Sequence, residues 1–130
     1  MTTTEWQTLT KARYLNLESL KRDGTAVRTP LWFAPDADGT FYIYSQAEAY
    51  KVKRLRRTPA CRVAACDMRG NLSGPWLEAR AEILSGAAAA HGMALLDRRY
   101  WPWKQMLGLL ARLRPGAARA VIALRPADGG

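Results

Sequence analysis

A chain of 130 residues, 48% hydrophobic and 24% charged, is long enough to bury one core and too apolar to stay disordered. Its 2 cysteines and single histidine exclude a disulfide framework and a zinc finger, and no apolar run approaches the roughly 20 residues of a membrane helix. The remaining oddity is a formal charge of +9, from 20 Lys and Arg against 11 Asp and Glu. It points to an anionic partner without choosing among nucleic acid, acidic lipid and a phosphorylated small molecule.

The first dozen residues read as a short helix with Thr4 at its cap. Met1–Thr10 lacks the apolar segment of a secretion signal, so a cytoplasmic protein is expected. From Tyr14 to Leu20 apolar and polar residues alternate near period two, as in a half-buried strand. Asp23-Gly24 supplies a tight hairpin, because that pair tolerates the positive φ such turns require. A second strand follows through Val27, Leu31, Trp32 and Phe33. Pro35, Asp36, Asp38 and Gly39 form another turn, and Phe41–Tyr44 is a third strand.

Ser45, with Glu48 three residues on, has the form of a capped helix start, and Thr58-Pro59 stops the helix, giving a basic helix over 46–57. Cys61, Val63 and Ala65 resume alternation as a fourth strand, and Trp76–Ile83 form a fifth. A helical hairpin is expected over 86–113, broken at Trp101-Pro102, and a final strand over 119–125. Six antiparallel strands have edges to hide, and closing them into a small barrel does so. The whole chain, 1–130, is therefore expected to be one domain, mainly β with α insertions. The interior of so small a barrel is filled by side chains, which leaves any ligand outside it.

No nucleophile elbow, Gly-rich phosphate loop or metal-ligand cluster occurs in the sequence. His91 lies in an alanine run and reads as a helix-surface residue. Cys61 and Cys66, five apart on one strand, point to opposite faces and cannot share a metal or a bridge. The chain therefore offers no acid–base machinery of its own, no catalytic residue can be named, and a cofactor would carry the chemistry if the protein is an enzyme.

The basic residues concentrate in two windows. Residues 51–69 hold Lys51, Lys53, Arg54, Arg56, Arg57, Arg62 and Arg69 against the single acid Asp67. Residues 98–125 hold Arg98, Arg99, Lys104, Arg112, Arg114, Arg119 and Arg125 and no acid. On a helical wheel Lys51, Arg54 and Arg57 form one ridge while Val52 and Leu55 face inward. Ser45 stands just before that ridge, and Arg28 reaches the same place if the second and third strands are neighbours. A hydroxyl, a helix start and two or three cations describe a phosphate site, and they equally describe a solvated charged helix.

In order and spacing the chain resembles the pyridoxamine-phosphate-oxidase-like flavin/deazaflavin split-barrel superfamily, and within it the actinobacterial branch dependent on coenzyme F420. The resemblance rests on YLNLESLKRDGTAVRTPLWF (14–33), YSQAEAYKVKRLRRTPACRVA (44–64), WLEARAEIL (76–84) and LDRRYWPWKQMLGLLARLRP (96–115). It implies a six-stranded antiparallel split β-barrel of the FMN/F420-binding type. It also implies a homodimer, with the cofactor at the subunit interface.

By that resemblance Arg28 matches the strand arginine that meets the cofactor phosphate in flavin members, and Lys51 matches the phosphate lysine. Tyr44 and Ser45 match the strand-end pair whose second residue is a hydroxyl donor. Thr29, Pro30, Leu31 and Trp32 correspond to the segment lying against the tricyclic ring, and Arg54 shares the ridge of Lys51. Two departures stand out. Thr58 replaces a common asparagine, and no glutamine near Gly74 or Trp76 matches the one that reaches the cofactor in flavin oxidases.

FMN ends in a phosphomonoester, whereas F420 carries a phosphodiester and an oligoglutamate tail that needs a longer basic track. The charge distribution and the branch together point to F420. The expected function is hydride transfer between reduced F420 and a small unsaturated or conjugated substrate. The alternatives are an FMN-dependent oxidoreductase on the same fold and a non-catalytic carrier or sensor of a cofactor. A nucleic-acid binder is not expected, because no groove-reading element is recognisable.

Overall fold

The computed structural model of the chain describes residues 3–46, 50–100 and 119–127. In chain order the elements are α1 (Thr3–Thr8), a 3-10 turn (Leu9–Lys11), β1 (Tyr14–Leu20), β2 (Ala26–Trp32), β3 (Ala34–Pro35), β4 (Phe41–Gln46) and α2 (Tyr50–Arg57). They continue with β5 (Ala60–Cys66), β6 (Leu77–Leu84), α3 (Gly86–Tyr100) and β7 (Arg119–Pro126). All seven strands belong to one antiparallel sheet in the order β2-β1-β5-β6-β7-β4-β3.

The two outermost strands of that order, β2 and β3, are separated in the chain by Phe33 alone. One extended segment therefore bends at Phe33 and serves both edges of the sheet, pairing with β1 before the bend and β4 after it. With β2 and β3 taken as one bent segment the seven strands become six, and the sheet curls into a split barrel. The bend has a packing cause, since Phe33 is fully buried and its ring centre lies 5.1 Å from that of Phe41.

Alternation along the strands divides the residues between two faces. Leu15, Leu17, Ile43, Val63, Ile122 and Leu124 point inward to the larger of two core clusters. Both ends of that core are closed by helices. Trp6 of α1 stacks on Phe41 with centroids 4.5 Å apart, and its Nε1–H donates to the Gly39 carbonyl at 2.6 Å. From α2, Val52 and Leu55 enter at the i, i+3 spacing of one helical face and are buried. On the outer face α3 covers β4 and β7, burying Leu96 against Tyr42, Val121 and Ala123. His91 Nε2 lies 2.7 Å from Asp36 Oδ2 and fastens α3 to the turn after β3. Cys61 faces the core and Cys66 the other side, both as free thiols, and burial pushes them up to about 12 and about 11.

Three boundaries differ from the sequence expectation. Helix α1 already includes Thr4, which the sequence placed at its cap. The basic helix, expected over 46–57, begins at Tyr50 among the described residues, because Ser45 and Gln46 pair with Ala120 and Arg119 of β7 and extend the ladder of β4. The first half of the expected hairpin over 86–113 is α3, and its second half lies outside the described residues.

Candidate functional site

A cleft of about 350 Å³ opens beside the end of β2, facing the junction of β4 and α2. Pro30, Leu31 and Trp32 form its strand wall, and Tyr44, Ser45 and Lys51 form the side toward the helix. Its rim is completed by Tyr14, which pairs directly with Trp32 across the β1–β2 ladder, and by Met68. Among the described residues the lining contains aromatic rings, aliphatic groups, a thioether, three hydroxyls and one cation, and no carboxylate.

Lys51 gives this cleft its electrostatic character. The helix that carries it is anchored by Val52 and Leu55, so the first turn is held against the barrel. Its ammonium is half-buried and has no acidic partner among the described residues. Desolvation first, and the neighbouring Arg54 charge second, hold it below the usual lysine range. A desolvated cation without a counter-ion is a net cost that an incoming anion would offset. The Ser45 hydroxyl lies on the same wall.

The remaining residues singled out by the sequence, Arg28, Thr29 and Arg54, do not line the cleft. Thr29 alternates to the other face of β2 from Pro30. Arg54 donates from Nε to the Ser19 hydroxyl at 2.9 Å, although its charge still bears on Lys51. The guanidinium of Arg28 is taken by Glu18, to which its Nε donates at 2.9 Å. The same carboxylate accepts from Arg62 Nε at 2.7 Å and Arg62 Nη2 at 2.9 Å. Cross-strand register produces this cluster, since Glu18 stands opposite Arg28 on β2 and opposite Arg62 on β5. The two guanidiniums also sit 4.9 and 5.2 Å from the ring centre of Trp76.

Two lining residues were missed by sequence reasoning. Tyr14 was recoverable, because the Asp23-Gly24 turn dictates a hairpin register that sets Tyr14 opposite Trp32. Met68 lies on a loop and carried no periodic signal. His91 and Asp36, 55 residues apart in sequence, were likewise not connected.

The family described as pyridoxamine 5'-phosphate oxidase matches residues 2–130 of the chain. The chain belongs to the pyridoxamine 5'-phosphate oxidase family. As a family member it shares its fold with several solved structures. A conserved hypothetical protein from Mycobacterium tuberculosis is 23% identical, over 95% of this chain and 79% of that one, with a TM-score of 0.67. An F420 reductase is 22% identical, over 92% and 91% of the two chains, with a TM-score of 0.58. The heme storage protein HutZ from Vibrio cholerae is 13% identical, over 95% and 89%, with a TM-score of 0.68. No curated protein sequence matches the chain. At these identities the likeness is one of fold, and it spans a redox enzyme and a heme protein. No helix among the described residues is long and apolar enough to cross a membrane.

Proposed function

We propose that this family member is an F420-binding oxidoreductase that passes a hydride between reduced deazaflavin and a small unsaturated or conjugated substrate. The observation that carries the reading is Lys51, a desolvated ammonium with no counter-ion among the described residues, on the wall of a cleft otherwise lined mainly by aromatic and aliphatic groups. In this reading Lys51 and Ser45 hold the cofactor phosphate, with Arg54 adding charge behind them. Pro30, Leu31 and Trp32 receive the ring, and Trp32 and Tyr44 exclude water from its edge. When bound, F420 would supply the hydride. The chain's own contribution is to bind, orient and dry the reacting pair.

The nearest rival, FMN on the same fold, would use Arg28 on its terminal phosphate by the family resemblance. That guanidinium is engaged by Glu18 and Trp76, which favours F420. A homodimer with the cofactor at its interface belongs to the same proposal, and sedimentation of the protein with and without F420 tests it.

The deciding experiment is an equilibrium titration of the purified protein, and of Lys51→Ala, with F420 and separately with FMN. Saturable binding of F420 is expected, weakened about tenfold or more in the variant by loss of a charge-assisted contact. Binding of FMN alone, of neither, or of F420 with equal affinity in both proteins would overturn the assignment. Turnover of reduced F420 with an added acceptor then separates an enzyme from a carrier.

A further inference from the structure

The amino-terminal part of α3 lies on the sheet with little apolar anchorage. From Gly86 to Ala90 only Ala89 is even partly buried, and the buried residues of the helix, Gly92 and Leu96, come later. At Gly92 the helix touches β4 directly, since a Cβ there would stand 2.6 Å from Tyr42 Cδ1. One residue earlier, His91 Nε2 reaches across to Asp36 Oδ2 at 2.7 Å. The imidazole meets the Tyr42 ring edge-on, with centroids 5.6 Å apart, and the Tyr42 hydroxyl points to the same Asp36 oxygen at 3.4 Å.

Asp36 is a fixed post. Its N–H donates to the Thr40 carbonyl at 2.8 Å, its carbonyl accepts the Gly39 N–H at 3.0 Å, and its Oδ1 accepts the Ala37 N–H at 2.7 Å. Asp38 Oδ1 closes the turn by accepting the Thr40 N–H at 2.9 Å. The charged and titratable groups around the pair, besides His91 itself, are Asp36 and Asp38 of the turn, Tyr42 of β4 and Arg125 of β7, which lies 3.6 Å from Glu82 of β6. Helix α3 has no other ionisable residue before Asp97.

Across the neutral range the carboxylate and the phenol keep their states. The His91 hydrogen bond first, and the Ala37 N–H second, hold the Asp36 carboxyl below its ordinary 3.8, while burial first and the two aspartates next push Tyr42 up. Imidazole is the side chain that changes charge between pH 5 and 8. Its charged form gives Asp36 a charge-assisted hydrogen bond about twice as strong as the bond from its neutral form. The contact also has a route to the cleft, because the side chains buried under α3, Tyr42 and Leu96 among them, pack against Trp32 and Tyr44 of the cleft wall.

We infer that His91 and Asp36 form a proton-operated latch on α3, closed by the imidazolium and loosened by the neutral ring, that sets how firmly the Trp32–Tyr44 wall of the cleft is backed. The two states are the amino-terminal part of α3 seated on the sheet and the same part lifted by local opening. The seated state is favoured most at low pH and loses that advantage as pH rises. The inference uses the construction of the cleft and is independent of what occupies it.

Hydrogen exchange of 15N-labelled protein, corrected for the intrinsic pH dependence of exchange, tests the latch. The imidazole is 53% and the carboxylate 22% exposed, so solvent screens the pair. Protection of the amides of residues 90–93 should therefore fall only about two- to fivefold from pH 5 to pH 8 relative to those of β1. The fall should vanish in His91→Gln, which keeps a donor but does not titrate, and in Asp36→Asn, which keeps the acceptor for Ala37. The indole N–H signal of Trp32, assigned by its loss in Trp32→Phe, should move over the same pH range in wild type and stay fixed in His91→Gln.

Protection that is constant with pH in wild type, or that falls as steeply in either variant, would overturn the inference. So would a Trp32 signal that is unmoved in wild type or still moves in His91→Gln, because the latch would then not reach the cleft. Both readouts are made without ligand, so a failure of F420 to bind would remove the cofactor reading and leave this test intact.

Discussion

Glu18 is the residue whose removal the structure prices most directly. Its side chain is 6% exposed and accepts three N–H groups from two guanidiniums, whose side chains are themselves 53% and 42% exposed. Glu18→Gln keeps the shape, removes the charge and turns an amide N–H toward arginine donors. A hydrogen bond to a charged group contributes about 1.5–3 kcal/mol, but half-exposed guanidiniums recover hydration when released and their attraction is screened. The net loss should therefore be about 2–3 kcal/mol, below the about 3–5 kcal/mol of breaking a fully buried pair. For a chain of this length that lowers Tm by about 8 °C.

The effect of pH on this pair has a definite sign. Hydrogen bonding from Arg62 first, opposed by burial and aided by Arg28, holds the Glu18 carboxyl below its ordinary value of 4.5. A depressed carboxylate stabilises the fold fully above its unfolded value and loses that contribution as pH falls through the folded one. Urea denaturation of wild type and Glu18→Gln should thus give a constant gap from pH 6 to 8 and a closing gap below about pH 4.5. A gap that is the same at pH 3 as at pH 7, or absent at pH 7, would refute the account of the cluster.

Gly92→Ala should destabilise despite the better helix propensity of alanine, because the added Cβ would stand 2.6 Å from Tyr42 Cδ1 and 2.9 Å from Val121 Cγ1. Overpacking of about 1–3 kcal/mol outweighs a helix gain of about 1 kcal/mol, so a thermal melt above wild type would contradict the packing of α3. Trp6→Phe keeps the stack on Phe41 but loses the bond to the Gly39 carbonyl. A loss of about 1–3 kcal/mol in urea is expected, and an unchanged midpoint would remove α1 from the core. His91→Ala should raise the Asp36 carboxyl midpoint followed by NMR, since the His91 contact is the largest cause holding Asp36 below its ordinary 3.8. The stabilisation from Asp36 is present above that value and lost on acidification, and an unmoved midpoint would break the link between α3 and the turn.

Much of the barrel was legible because its signals are local. The Asp23-Gly24 turn sets the β1–β2 register by backbone conformation alone, with Gly24 at φ +86°. Val52 and Leu55 mark the buried face of α2 by spacing alone. Six of the residues that line the cleft, Pro30, Leu31 and Trp32 with Tyr44, Ser45 and Lys51, fall in two short stretches, so a linear motif could carry them, whereas Tyr14 and Met68 lie outside both. The end of β4 was misread, because a capping pattern at Ser45 competed with a ladder whose partner, β7, begins at Arg119. A local rule cannot see that partner.

The sequence by itself determined the strand and helix types, the hairpin and the clustering of positive charge, since these follow from side-chain period and turn chemistry over a few residues. Only the tertiary structure decided how the charges are used. Arg28 and Lys51 read alike as cations near one strand end. Yet the register of β1 with both β2 and β5 gives Arg28 the buried carboxylate of Glu18, shared with Arg62, while Lys51 is desolvated with none among the described residues. Only the fold shows that the arginine has a buried counter-ion, while the lysine is left desolvated without one among the described residues.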